Sequence, residues 1–136
     1  MVRAVKRSKK AGTAEPSALE LATAFFDAIE ARDFERMETL LSAENFSYEG
    51  SIEKHDNAKD FVRSISRFGS ILESVERRHM FVDGDDVCAI LTYETSLDPI
   101  ESVRIAHWLR VERGKIIRIE SFFDARAYAS MFDLKD

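Results

Sequence analysis

Apolar residues recur at helical spacing in the first half of the chain and at every second position in the second half. Leu21, Ala22, Phe25, Phe26 and Ile29 form one helical stripe. Ser17 and Glu20 stand at the spacing of a capping box, which starts that helix just after Pro16. Asp33 can cap a second, short helix with Phe34, Met37, Leu40 and Leu41 on its buried side. A third helix is predicted after Asp56 or Asn57, with Phe61, Ile65 and Phe68 on its face and Gly69 at its end.

Between the second and third helices, Phe46 to Gly50 alternates as a first strand. Phe46 and Tyr48 face one way; Ser47 and Glu49 face the other. After Leu72 the period is two. Ser74–Val82 and Val87–Leu97 flank Asp83-Gly84-Asp85-Asp86, a hairpin signal. Asp98-Pro99 marks the next turn. Ser102–Glu112 and Ile116–Phe123 flank Arg113-Gly114-Lys115. Helices segregated from an antiparallel meander predict an α+β domain.

Both faces of the later strands carry apolar area. In Ser102–Glu112, Val103, Ile105, His107, Leu109 and Val111 share one face; Arg104, Ala106 and Trp108 share the other. Helices can cover only one of them. A second copy of the chain is the expected cover for the outer face, so a homodimer is predicted.

The 136-residue length fits one domain, and composition and charge narrow what that domain does. Residues 1–15 carry a balance of +4, while the remainder holds 15 basic and 24 acidic residues, a balance of −9. We therefore divide the chain into a basic, disordered leader at 1–15 and a single domain at 16–136. The acidic body makes nucleic acid an unsuitable partner. No apolar stretch approaches a membrane span, and no secretory apolar core stands near residue 1. The single cysteine, Cys88, excludes an intramolecular disulfide framework and reads as a small buried hydrophobe. A cytoplasmic address follows. His55, His79 and His107 are scattered, so neither a metal nor another cofactor is expected.

Two stretches carry a family resemblance. They are Phe25-Phe26-Asp27-Ala28-Ile29-Glu30-Ala31-Arg32-Asp33-Phe34 and His107 to Asp124, with Gly114-Lys115 at its turn. With the order of elements, they resemble the nuclear transport factor 2-like superfamily over Ser17 to Tyr128. Its SnoaL-like branch is related to polyketide cyclases and ketosteroid isomerase; limonene epoxide hydrolase is another relative. The resemblance implies a cystatin-like cone: three N-terminal helices packed on a strongly curved, mixed, mostly antiparallel sheet that encloses a pocket. Aligned on the Gly114-Lys115 turn, it implies an inward set of Arg104, Ala106 and Trp108 with Ile119, Ser121 and Phe123. Leu91, Tyr93 and Glu49 are also expected inside, and His107 outside.

Ketosteroid isomerase needs a carboxylate base and two oxyanion donors. Glu49 aligns with the base, but Phe25 and Ala106 stand at the donor positions, so that activity is not expected. The acid/base aspartate of the cyclases aligns with Ser121, whose hydroxyl has no suitable pKa. Asp124 reads as a cap or turn residue for Ala125–Met131.

The expected site is thus an apolar pocket for a small hydrophobic molecule, contacted by Tyr93, Arg104, Trp108, Ser121, Phe25 and Phe123. Three functions fit it. One is a small-molecule binder. Another is an isomerase, cyclase or hydrolase using Glu49 as acid/base. The third is a dimeric scaffold with a filled interior.

Overall fold

A computed structural model describes residues 15–128. The leader, except Glu15, and the end of the expected Ala125–Met131 segment lie outside the described residues. The first helix, α1 (Ala18–Ala31), begins where the capping box predicts. The Ser17 hydroxyl accepts from the Glu20 N–H at 3.1 Å, and the Glu20 carboxylate accepts from the Ser17 N–H at 2.8 Å. Asp33 caps α2 (Phe34–Leu40) through the Arg36 N–H, and Asn57 caps α3 (Ala58–Gly69) through the Asp60 N–H.

The strands are β1 (Ser47–Glu49), β2 (Lys54–His55), β3 (Leu72–Asp83), β4 (Asp86–Thr95), β5 (Ser102–Glu112) and β6 (Lys115–Phe123). They form one sheet in the order β2-β1-β6-β5-β4-β3. The β1–β6 pair is parallel and the others are antiparallel. The strongly curved cone expected from the resemblance is corrected to an open sheet with free edges at β2 and β3. β2 was not anticipated; two residues are too few to show a period.

The stripe on α1 is wholly buried and packs over the inner face of the sheet. Phe25 and Phe26 meet edge to face at 5.3 Å, and Phe25 stacks on Phe61 of α3. Val87, Leu91, Leu109, Ile116 and Ile119 supply the sheet side of this core.

The β5–β6 hairpin decides which side chains share that interior. Arg113 and Gly114 both have positive φ, 53° and 73°, which suits a two-residue turn between Glu112 and Lys115. Unbroken pairing from that turn would set Trp108 opposite Ile119 and Ala106 opposite Ser121, the arrangement the sequence reading assumed. Instead the register shifts between Arg110↔Arg118 and Val111↔Ile116, leaving Ile117 as an extra residue on β6. Beyond it, His107 pairs with Ser121 and Trp108 with Glu120. One slipped residue exchanges the faces of everything after it.

The expectations for β5 are corrected accordingly. Arg104 and Trp108 are exposed on the outer face, and His107, expected outside, is buried. Glu49 is also corrected: it is exposed, while its neighbour Tyr48 turns inward beside Phe46, as the alternation of β1 itself indicates. Cys88 lies half-buried opposite Trp108 rather than in the core.

If the α1 stripe anchors the domain, Phe26→Ala should lower unfolding stability by about 3–5 kcal/mol in urea titration. A loss below about 1 kcal/mol would show that the stripe is not well packed.

Candidate functional site

The sheet's inner face and α3 border a cavity of about 490 Å³ that opens to solvent on one side. This is the size range of small-molecule sites. Its wall is overwhelmingly apolar. Ile29 comes from α1, Phe61, Ile65 and Phe68 from α3, and Val103 and Ile105 from β5. Leu97 and Ile100 come from the β4–β5 connection. Tyr48, Tyr93, Phe123 and Tyr128 add aromatic surface.

The polar groups of the cavity fall into two sets. Exposed Glu53 and Arg67, with half-buried Ser64, form its solvent side. One Glu53 oxygen lies 2.7 Å from both the His55 Nε2 and the Ser64 Oγ. The inner set is uncharged. Tyr93 Oη lies 2.9 Å from His107 Nε2, and His107 Nδ1 lies 2.6 Å from Ser121 Oγ. Tyr93 and His107 line the cavity, and Ser121 is buried behind them. Pairing of Tyr93 with Val103 and of His107 with Ser121 and Ala89 puts these residues on the inner face of three adjacent strands.

Burial governs the protonation of this inner set. It holds the His107 imidazolium down to about pKa 4, so the ring is neutral at pH 7. It pushes the Tyr93 hydroxyl well above the ordinary tyrosine value and Tyr128 up to about 12. Tyr48 is also raised by burial, a rise that the adjacent Ser121 hydroxyl partly offsets. Hydrogen bonds let these groups sit in an apolar interior, because none is left charged.

The predicted site residues separate cleanly. Tyr93 and Phe123 line the cavity, and Ser121 completes its polar end. Phe25 lies in the core, stacked on Phe61, rather than on the cavity wall. The outer residues are elsewhere. Arg104 pairs across from Thr92. Trp108 donates its indole N–H to Asp86 at 2.9 Å, with the Arg118 guanidinium 4.6 Å over its ring. Glu49 lies in a charged outer groove with Lys54, Arg118 and Glu120. It therefore meets neither the cavity nor Tyr93. His107 and Tyr48 were missed, although the alternation of β5 and β1 had placed each among the apolar residues of its strand. Asp124 does form a local turn contact, accepting from the Arg126 N–H at 3.1 Å. Among the described residues, no group of three His, Cys, Asp or Glu side chains could hold a metal ion.

Helices packed on one face of this six-stranded mixed sheet match the nuclear transport factor 2-like fold. Solved structures agree. A nuclear transport factor 2-like protein of unknown function from Cytophaga hutchinsonii superposes with a TM-score of 0.73 at 18% identity, covering 88% of this chain and 98% of its own. An LEH-like epoxide hydrolase from M. tuberculosis gives a TM-score of 0.68 at 17% identity, covering 86% of this chain and 96% of its own. A protein with a ketosteroid isomerase-like fold from Catenulispora acidiphila, solved in complex with trimethylamine, gives 0.68 at 18%, covering 90% and 96%. In sequence, residues 22–119 match the SnoaL-like domain, and the chain belongs to that family. No protein of curated function matches it in sequence.

The buried histidine makes stability depend on pH. Below pH 6.5 the unfolded chain protonates this side chain, whereas the folded chain resists until about pH 4. Folding stability is therefore lost as pH falls through that window, by about 3 kcal/mol from this residue. Urea titrations at pH 7 and pH 4 should show the wild type losing about that much more than His107→Phe. Equal losses would show that His107 is not buried in the neutral form.

Proposed function

We propose that the chain is a small-molecule-binding protein whose ligand is a compact hydrophobic molecule held in the inner cavity. The observation that carries this reading is an apolar cavity of about 490 Å³ with hydrogen-bonding groups gathered at one end. The trimethylamine bound to the Catenulispora acidiphila protein supports it, as a small molecule held by the same fold.

The alternatives lose ground for stated reasons. A catalytic Glu49 would need to reach the cavity, and Glu49 lies in the outer groove. A dimeric scaffold with a filled interior would leave no cavity of this size. Tyr93 and Phe123 remain the ligand-contacting residues in our reading, with His107 beside them and Ser121 acting through His107. Arg104, Trp108 and Phe25 do not.

We also propose a homodimer through the outer sheet face. Trp108 and Phe122 are exposed there, at 37% and 54%; Ala106 pairs with Phe122, and Cys88 and Ile90 of β4 pair with Trp108 and Ala106 on the same face. A contiguous apolar area of this kind favours association. We place the protein in the cytoplasm; no helix among the described residues is long and apolar enough to cross a membrane.

Native mass spectrometry tests both readings. The expected spectrum is a dimer mass carrying a bound small molecule. Ile65→Trp, which fills the cavity, should remove the molecule and keep the dimer. Phe122→Asp should give monomer. A ligand retained at full occupancy in Ile65→Trp would contradict the cavity as its site.

A further inference from the structure

The polar end of the cavity restricts what its ligand carries. Tyr93, His107 and Ser121 form two consecutive hydrogen bonds. At neutral pH each has one transferable hydrogen, so three hydrogens serve two bonds and one is always left over. A neutral imidazole has one donor and one acceptor nitrogen, so His107 donates to one neighbour and accepts from the other. Only two arrangements therefore satisfy the chain.

In the first, Tyr93 donates to Nε2 and Nδ1–H donates to Ser121. The Tyr93 oxygen then presents lone pairs, and the spare hydrogen sits on Ser121, next to the Tyr48 hydroxyl. In the second, Ser121 donates to Nδ1 and Nε2–H donates to Tyr93. The spare hydrogen then sits on Tyr93, a cavity-lining residue. We infer that Tyr93, His107 and Ser121 form a relay of reversible direction that meets one uncharged hydrogen-bonding group of the ligand, a carbonyl or a hydroxyl. A change of His107 tautomer matches the relay to either kind. An ionised group is disfavoured there, because every member of the relay is neutral and burial removes water from it. Among the cavity-lining residues, the ionised side chains Glu53 and Arg67 stand on the solvent side.

This inference rests on the cavity being a ligand site, and the test separates the two. Four probes are titrated into the full ¹⁵N-labelled chain: naphthalene, which has no polar group; 2-acetonaphthone, an acceptor; indole, a donor; and sodium 2-naphthoate. Acetonaphthone and indole should each bind about tenfold more tightly than naphthalene, the worth of one satisfied hydrogen bond. The imidazole ¹⁵N shifts should show Nε2–H with acetonaphthone and Nδ1–H with indole. Ser121→Ala leaves Nδ1 without its partner, favours Nε2–H, and should abolish the tenfold advantage of indole alone. One tautomer with both probes, no advantage over naphthalene, or an equal imidazole response to naphthoate would each overturn the relay while leaving the cavity as a ligand site. Failure of all four probes to bind would overturn both.

Discussion

One extra residue within the last strand determines the interior of this domain. Ile117 has no partner on β5, so the strands beyond it pair one position away from where the Arg113-Gly114 turn alone would set them. Because side chains alternate in and out, that displacement exchanges two chemically opposite sets. Past the extra residue, Ile119, Ser121 and Phe123 of β6 go inward with Val103, Ile105, His107, Leu109 and Val111 of β5, and Arg118, Glu120 and Phe122 go outward with Arg104, Ala106, Trp108 and Arg110. The cavity wall, its polar end and the outer apolar surface all follow from this choice.

The choice is also the one electrostatics favours. Without the extra residue, Arg118 and Glu120 would have faced the cavity with Ile116, two ions would have lost their hydration inside an apolar wall, and their mutual attraction rarely repays that loss. The observed interior contains His107, Tyr93 and Ser121, which need only hydrogen bonds to be comfortable there. Placing the charges outside lets them make exposed contacts instead. Asp86 receives both Trp108 and Arg110, and Arg118 covers the indole ring. The same slip thus produces a neutral cavity and an outer face where aromatic rings sit among paired charges.

Most of the fold was legible in the sequence because its signals are local. Ser17, Asp33 and Asn57 cap the three helices within a few residues of where their side chains predict, and the β3–β4 and β5–β6 turns fall at Gly84 and Gly114. The family could be read from Phe25 to Phe34 and from His107 to Asp124 for the same reason. The site was harder, because it depends on register across strands. A bulge within Ile116-Ile117-Arg118 leaves no mark in a run of β-branched residues, and family alignment through the turn carried the wrong parity past it. At β1 the alternation of Phe46 and Tyr48 was the sounder guide, since burial acts on this chain's own side chains. The two-residue strand β2 gave no pattern to read.

The register claim has a direct test. Cross-strand nuclear Overhauser contacts in the folded protein report which residues face each other on β5 and β6. The slipped pairing predicts contacts of His107 with Ser121 and of Trp108 with Glu120. Contacts pairing Ala106 with Ser121 and Trp108 with Ile119 would contradict it, and would separate His107 from Ser121 on opposite faces of the sheet.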